Sequence, residues 1–346
     1  MDPSRTKSAG TRSLSPWPHR VALLLVCATF PLIWVGGLVT TYEAGMAVPD
    51  WPSTFGYNLF LYPWQTWLAG PWDLFIEHGH RLFGALVGVL TILLVVTVFC
   101  YDRRPWMRGA SLAALLLVIG QGALGGLRVL FDERLLAQIH GCVGPAFFAL
   151  TVALAVWTSP RWLARREQAR DAISARATAR FQRLAFFTLA VAYLQLVLGS
   201  QLRHVRPGID VATFRAAVWF HLLVAAVLSA YVLLLAGRAL WSFSTDTYIL
   251  FPAIALAVLL LAQLGLGAGA WVVNYGFPAN WFGRYSWAQQ YVVAQESRTQ
   301  AWVTTGHVAA GSLILVTSLV VALRSLLLSA DGPRAVRGFV ASEVVA

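Results

Sequence analysis

Four histidines share one kind of sequence neighbourhood. His80, His140, His221 and His307 each precede a glycine or alanine by four residues: Gly84, Gly144, Ala225 and Gly311. On an α-helix, positions i and i+4 lie on one face, about one turn apart. Each imidazole therefore stands beside a patch of nearly bare backbone. Neutral imidazole is a common metal ligand, and a flat, wide macrocycle needs such clearance if its metal is to meet the ring. Four histidines of this kind, two in each half of the chain, suit two haem sites with paired axial imidazoles. Zinc fits less well, because no carboxylate or thiolate cluster accompanies each pair. Core packing and proton relay are the remaining alternatives.

One of the four copies carries an acid. Glu77 lies three residues before His80, about 60° away around a helix, where the other copies have Ala137, Val218 and Thr304. A carboxylate there is a candidate general base; the alternative is that it orients Arg81 or caps the helix start. Arg81, Arg128 and Arg203 lie near helix ends on the same side and are candidates to bind carboxylates through their fork of donors. The alternative is interfacial snorkelling. His78 points to another side of the helix than His80 and is not expected to be a ligand, nor is His19 in the basic N-terminal flank. Cys27, Cys100 and Cys142 are read as apolar filler, without a disulfide or zinc site.

Long apolar helices must position these residues. Of the 346 residues, 58% are hydrophobic and 12% charged, against about 25% charged in soluble proteins. Eight apolar blocks are each long enough to span a bilayer: roughly 21–41, 79–101, 109–127, 138–158, 182–201, 217–241, 248–273 and 302–327. The net charge of +11 does not indicate nucleic acid. With the N-terminus in the cytoplasm, 18 of the 26 Lys and Arg fall on that side while acids divide almost evenly, the positive-inside pattern. By this topology the four histidines lie within about two turns of the extracytoplasmic surface.

The chain also repeats itself. Three odd-numbered spans carry a Gln and a Gly four apart, Gln121/Gly125, Gln195/Gly199 and Gln263/Gly267; the first has Ile33/Gly37 in a similar place. The expected fold is all-α and membrane-integral, with eight helices arranged as two pseudo-symmetric four-helix bundles built from repeated hairpins. The expected divisions are a basic cytoplasmic tail (1–20), a first bundle (21–158), a basic cytoplasmic linker (159–181), a second bundle (182–327) and a cytoplasmic tail (328–346).

The stretches "GGLVT…AGMAVPDWP", "EHGHRLFGALVG", "QGALGGLRV", "IHGCVG", "LQLVLGSQLRH", "WFHLL", "LAQLGLGAGAW" and "TGHVAAGSL", in this order across about 30–325, resemble the haem A synthase family. The resemblance implies oxidation of a ring methyl of haem O to the formyl group of haem A, for use by terminal oxidases. It implies a resident haem b on His221 and His307, a substrate haem on His80 and His140, and a functional acid at Glu77. Haem O synthase, a quinone-like electron donor or acceptor and the lipid bilayer are the expected partners, with homo-oligomerisation left open. The expected location is the cell membrane. The chain departs from the family pattern at Thr41, where many members have a basic residue. It also lacks the cysteine pair that some members carry in the first outer loop, here 42–76. That loop, rich in Trp, Pro and Tyr, is read as an interfacial cap. The runner-up functions are a di-haem cytochrome b that takes electrons from quinol and, more remotely, a transporter.

Overall fold

A computed structural model describes residues 15–168, 176–206, 208–276, 287–292 and 294–328. The expectations for residues 1–14, for 169–175 of the linker and for the tail from 329 onward lie outside the described residues. Within them the fold is all-helical, with eight helices long and apolar enough to cross a membrane. These are α1 (Trp17–Thr41), α3 (Trp72–Tyr101), α4 (Pro105–Phe131), α5 (Arg134–Thr158), α7 (Arg176–Arg203), α8 (Val211–Ser242), α9 (Thr247–Tyr275) and α10 (Arg298–Ser325). There are two further short α-helices, α2 (Trp64–Ala69) in the loop between α1 and α3 and α6 (Pro160–Gln168) after α5.

Local chemistry explains several helix starts. Pro105 opens α4, where its missing N–H is no loss. Asp210 caps α8 by accepting from the Thr213 N–H, and Asp246 caps α9 by accepting from Tyr248 N–H. Ser297 and Gln300 form a reciprocal capping box at the start of α10. These signals lie ahead of the apolar blocks, so the helices begin earlier than hydropathy alone suggests. The histidines consequently sit six to ten residues past the helix starts at Trp72, Arg134, Val211 and Arg298, nearer two to three turns than two.

In the first half α1 and α4 each pack against both α3 and α5. In the second, α7 and α9 each pack against both α8 and α10. Across the middle, α10 packs on α1 and α5, and α5 packs on α7. One apolar core, including Leu25, Leu94 and Leu154, fills the first group; another, including Phe181, Leu235 and Leu256, fills the second. A third joins them through Phe148, Val316 and Trp162. Many apolar side chains on the outer surface, such as Leu116, Leu223 and Phe251, stay exposed, as lipid-facing residues would.

Candidate functional site

Each of the four histidines rests on a glycine of the helix it pairs with. A β-carbon on Gly36, Gly125, Gly199 or Gly267 would stand 2.8, 3.2, 3.3 or 2.9 Å from Cε1 of His80, His140, His221 or His307, respectively. The pairs are α1 with α3, α4 with α5, α7 with α8, and α9 with α10. At Gly36 and Gly267 imidazole and backbone approach closer than a β-carbon would allow, and at Gly125 and Gly199 a β-carbon would push the ring away by a few tenths of an ångström. This corrects the register read for the first helix. Gly36 is the counterpart of Gly125, Gly199 and Gly267, and Leu32 of the three glutamines; Gly37 instead packs against Thr305 of α10.

A valine at Gly36 would have to displace His80 at an overpacking cost of about 1–3 kcal/mol. We expect Gly36→Val to weaken haem binding at the His80–His140 pair by roughly 5- to 150-fold, the same energy read as an equilibrium, and to leave any haem held by His221 and His307 in place. Gly109→Val, whose β-carbon would meet nothing within 4 Å, should leave the haem content unchanged in the same pigment assay.

His80 and His140 face each other edge to face, with ring centroids 6.3 Å apart and planes at 84°. Two metal–imidazole bonds of about 2.0–2.1 Å, with about 1.1 Å more from each nitrogen to its ring centre, would separate two ligating rings by about 6.3 Å. The Nδ1 atoms of both rings are buried without a hydrogen-bond partner among the described residues. Gly84 and Gly144, one turn beyond the rings, have open space where a β-carbon would lie. The pair therefore fits an axially ligated macrocycle. In the second half His307 also has a buried, unpartnered Nδ1. His221 differs: the Gln195 side-chain amide lies 3.2 Å from its Nδ1 and 3.1 Å from its Nε2. Gly311 lies against the Gln263 amide. The repeated glutamines thus touch the histidine-bearing helices directly, a role the sequence pattern alone did not assign.

Glu77 is 2% exposed and fully engaged. Oε2 accepts from the Val48 N–H at 2.9 Å, and Oε1 accepts from Arg81 Nη2 at 2.9 Å. The Arg81 guanidinium also donates to the carbonyls of Val48, Asp50 and Ser53 at 2.7–3.0 Å. His78, equally buried, lies 3.1 Å through Nδ1 from the Thr54 hydroxyl and packs against Tyr62 and Trp67. Three side chains of one helical segment thus clasp the loop between α1 and α3. Asp50 tightens the same loop by accepting from Ser53, Phe55 and Gly56. Burial pushes its carboxyl up, but these hydrogen bonds outweigh burial and hold it below the usual carboxylate range. Trp51 packs on Gly126 and Arg128 on Gly45, extending the clasp to α4.

Arg128 donates to the Gly45 carbonyl. Arg203 donates to the Gly37 carbonyl at 2.7 Å and to the Thr41 hydroxyl. Neither is in an ion pair among the described residues, where the pairs are Arg81–Glu77, Arg104–Asp102 and Arg165–Asp246. The charges of Arg128 and Arg81 bear on His80, that of Arg128 on His140 and that of Arg203 on His307. Arg203 thus reaches from α7 to Thr41, the position where the resemblance leads one to expect a basic residue. Thr41 also hydrogen-bonds Thr305 at 2.9 Å, and its carbonyl accepts from the Gln295 N–H. His204, against Gly141 of α5, is held below its usual pKa by burial.

Comparison with known proteins bears on the same region. A family model described as "Cytochrome oxidase assembly protein" matches residues 71–218, which include Glu77, His80 and His140 and end just before His221. The chain is 25% identical over 228 residues to a "Heme A synthase" of Alkalihalophilus pseudofirmus, covering 60% of this chain and 71% of that relative. It is 26% identical over 224 residues to a "Heme A synthase" of Beijerinckia indica, covering 58% of this chain and 60% of the relative. It is 30% identical over 122 residues to one of Shouchella clausii, 34% of this chain and 38% of the relative. The match to the last two spans less than two thirds of their length.

Proposed function

We propose, from the haem A synthase family that these matches support, that the chain oxidises a ring methyl of haem O to the formyl group of haem A for terminal oxidases. The observation that carries this reading is the His80–His140 pair, 6.3 Å apart, inside the matched region and beside the one acid of the four copies. In this reading the two halves are pseudo-symmetric bundles: the first receives the substrate, and the second holds a resident haem b between His221 and His307. A bound haem supplies redox chemistry at its iron, tuned by axial ligands and burial.

The chain's own residues do the rest. His80 and His140 hold the substrate, and Gly84 and Gly144 leave room for its plane. Arg128 and Arg203, cations without an ion-pair partner near the two histidine pairs, receive the acidic side groups; Arg81, spent on the loop, holds the cap in place instead. The clasped loop limits water at the reacting edge. Turning the methyl into a formyl group adds one oxygen and removes four electrons, which pass to the quinone-like partner; with water as the oxygen source four protons are released, and Glu77 accepts one of them, which requires one of its two hydrogen bonds to open. The protein sits in the cell membrane with both termini in the cytoplasm and the histidines near the outer face. It works with a source of haem O, a quinone-like redox partner and, if it oligomerises, further copies of itself.

Extraction of haems from cells supplied with haem O, with and without the protein, tests this reading. Haem A should appear only with it. Bound haem without any haem A would favour the quinol-linked di-haem cytochrome, and a chain purified without haem would favour a transporter; either result overturns the proposal.

A further inference from the structure

The end of the fold away from the histidines gathers hydrogen-bond donors that the reaction does not use. There α6 meets the first turn of α9 and the last turn of α10. Arg165 of α6 holds both oxygens of Asp246, at 2.9 and 3.0 Å. Its guanidinium also lies 4.5 Å from the centre of the Tyr248 ring. Arg324 of α10 lies 4.1 Å from the same ring and donates Nη1 to the Tyr248 carbonyl at 3.0 Å. Arg161 is near enough for its charge to act on Arg324. Trp162 lies three residues before Arg165, on the same side of α6, and belongs to the apolar cluster of Leu323 and Leu327.

Three donors in this group are buried without a partner among the described residues: Trp162 Nε1, Tyr248 Oη and Arg324 Nε. Trp162 is 5% exposed and Tyr248 8%. The Ser159 and Arg324 side chains approach the Tyr248 hydroxyl without hydrogen-bond geometry. Buried polar groups are nearly always satisfied, and leaving one bare is costly. Indole and guanidinium N–H groups can only donate, so what satisfies them must bring acceptors. Three guanidinium charges stand against one carboxylate, and Arg165 already occupies that carboxylate. An anion with several oxygens meets both needs, and phosphate offers more acceptors than a carboxylate.

We propose that Trp162, Tyr248 and Arg324, with Arg161 and Arg165 around them, bind the phosphate of an anionic phospholipid. The lipid source follows from position. The group lies where apolar helices give way to the Arg-rich stretch beginning at Pro160, and basic pockets between membrane helices at such a boundary bind anionic headgroups. The lipid would seat α6 across the seam between the two halves.

The test is native mass spectrometry of the full-length protein, released from neutral detergent with phosphatidylglycerol, phosphatidylcholine or inorganic phosphate. One phosphatidylglycerol should be retained in preference to phosphatidylcholine, and inorganic phosphate alone should not saturate the site. Arg324→Gln should weaken retention roughly fivefold, as expected for about 1 kcal/mol per basic residue, while Arg238→Gln should not. Trp162→Phe keeps every charge and an apolar ring in the Leu323–Leu327 cluster while removing the indole N–H, so lost retention there speaks for that donor even if Arg324→Gln fails to fold. Equal retention of the two lipids, or unchanged retention in both variants, would overturn the proposal. Saturation by phosphate alone would overturn the lipid source.

Discussion

His140→Ala is expected to abolish haem A formation while leaving haem in the second half. In the proposed reading the 6.3 Å approach of His80 and His140 makes each ring one side of a two-sided site, and no other histidine is placed to take over. His78, the nearest in sequence, is committed to Thr54, Tyr62 and Trp67. His204 lies against Gly141 with its Nδ1 3.0 Å from the Ser200 carbonyl. Loss of second-shell partners alone typically costs 10–100-fold in metal affinity, so loss of a ligand should reduce conversion more than about 100-fold. His80→Ala should do the same. His221→Ala and His307→Ala should instead remove the second haem, and the Gln195 amide that lies on His221 cannot replace a strong ligand. Haem content per protein, measured beside extracted pigments, separates the two classes. Full conversion by both His80→Ala and His140→Ala would remove this pair from the substrate site.

What the sequence made legible follows from which interactions have a sequence period. Eight spans are visible because a bilayer demands about 20 apolar residues each, and all eight are present. The four histidines with a small residue one turn on are visible because helix geometry converts spacing into a shared face. The partner glycines are legible in three helices, while in α1 the pattern points to Gly37 and the contact is made by Gly36. There "GG" at 36–37 offers two registers, and only the contacts of His80 and Thr305 tell them apart. The clasp of the outer loop was not legible. Arg81 binds the carbonyls of Val48, Asp50 and Ser53, and Glu77 binds the Val48 N–H; backbone groups belong to every residue and leave no mark in composition. The helices start ahead of their apolar blocks for a related reason: caps such as Ser297 and Asp210 act through backbone N–H groups outside those blocks. Of the two readings of Glu77, proton acceptor and partner of Arg81, the second now has a geometry of its own.

Glu77→Gln is therefore expected to stop conversion while haem still binds, with Arg81→Gln as the necessary companion. The carboxamide can still accept from Val48 N–H, but it leaves Arg81 without the one acid it pairs with among the described residues. Removing one partner of a buried ion pair costs about 3–5 kcal/mol, and the three loop carbonyls that Arg81 keeps should hold the cost below that range. The loop should then loosen, seen as faster hydrogen exchange at Val48. A general base contributes about 10²–10⁴-fold in rate, an effect of comparable size, so activity alone cannot separate the two roles. The double variant can, because residues that act through one contact are not additive. If Glu77 serves only to hold Arg81, the double variant should be no slower than either single one, and Arg81→Gln should be as inactive as Glu77→Gln. If Glu77 takes the proton, Arg81→Gln should keep measurable conversion with a mobile loop, and adding Glu77→Gln should remove what is left. We expect the second pattern, because the other three copies of the repeat hold histidines with no acid at that position. Wild-type conversion by Glu77→Gln would take the carboxylate out of the chemistry and leave it as the clasp of the outer loop.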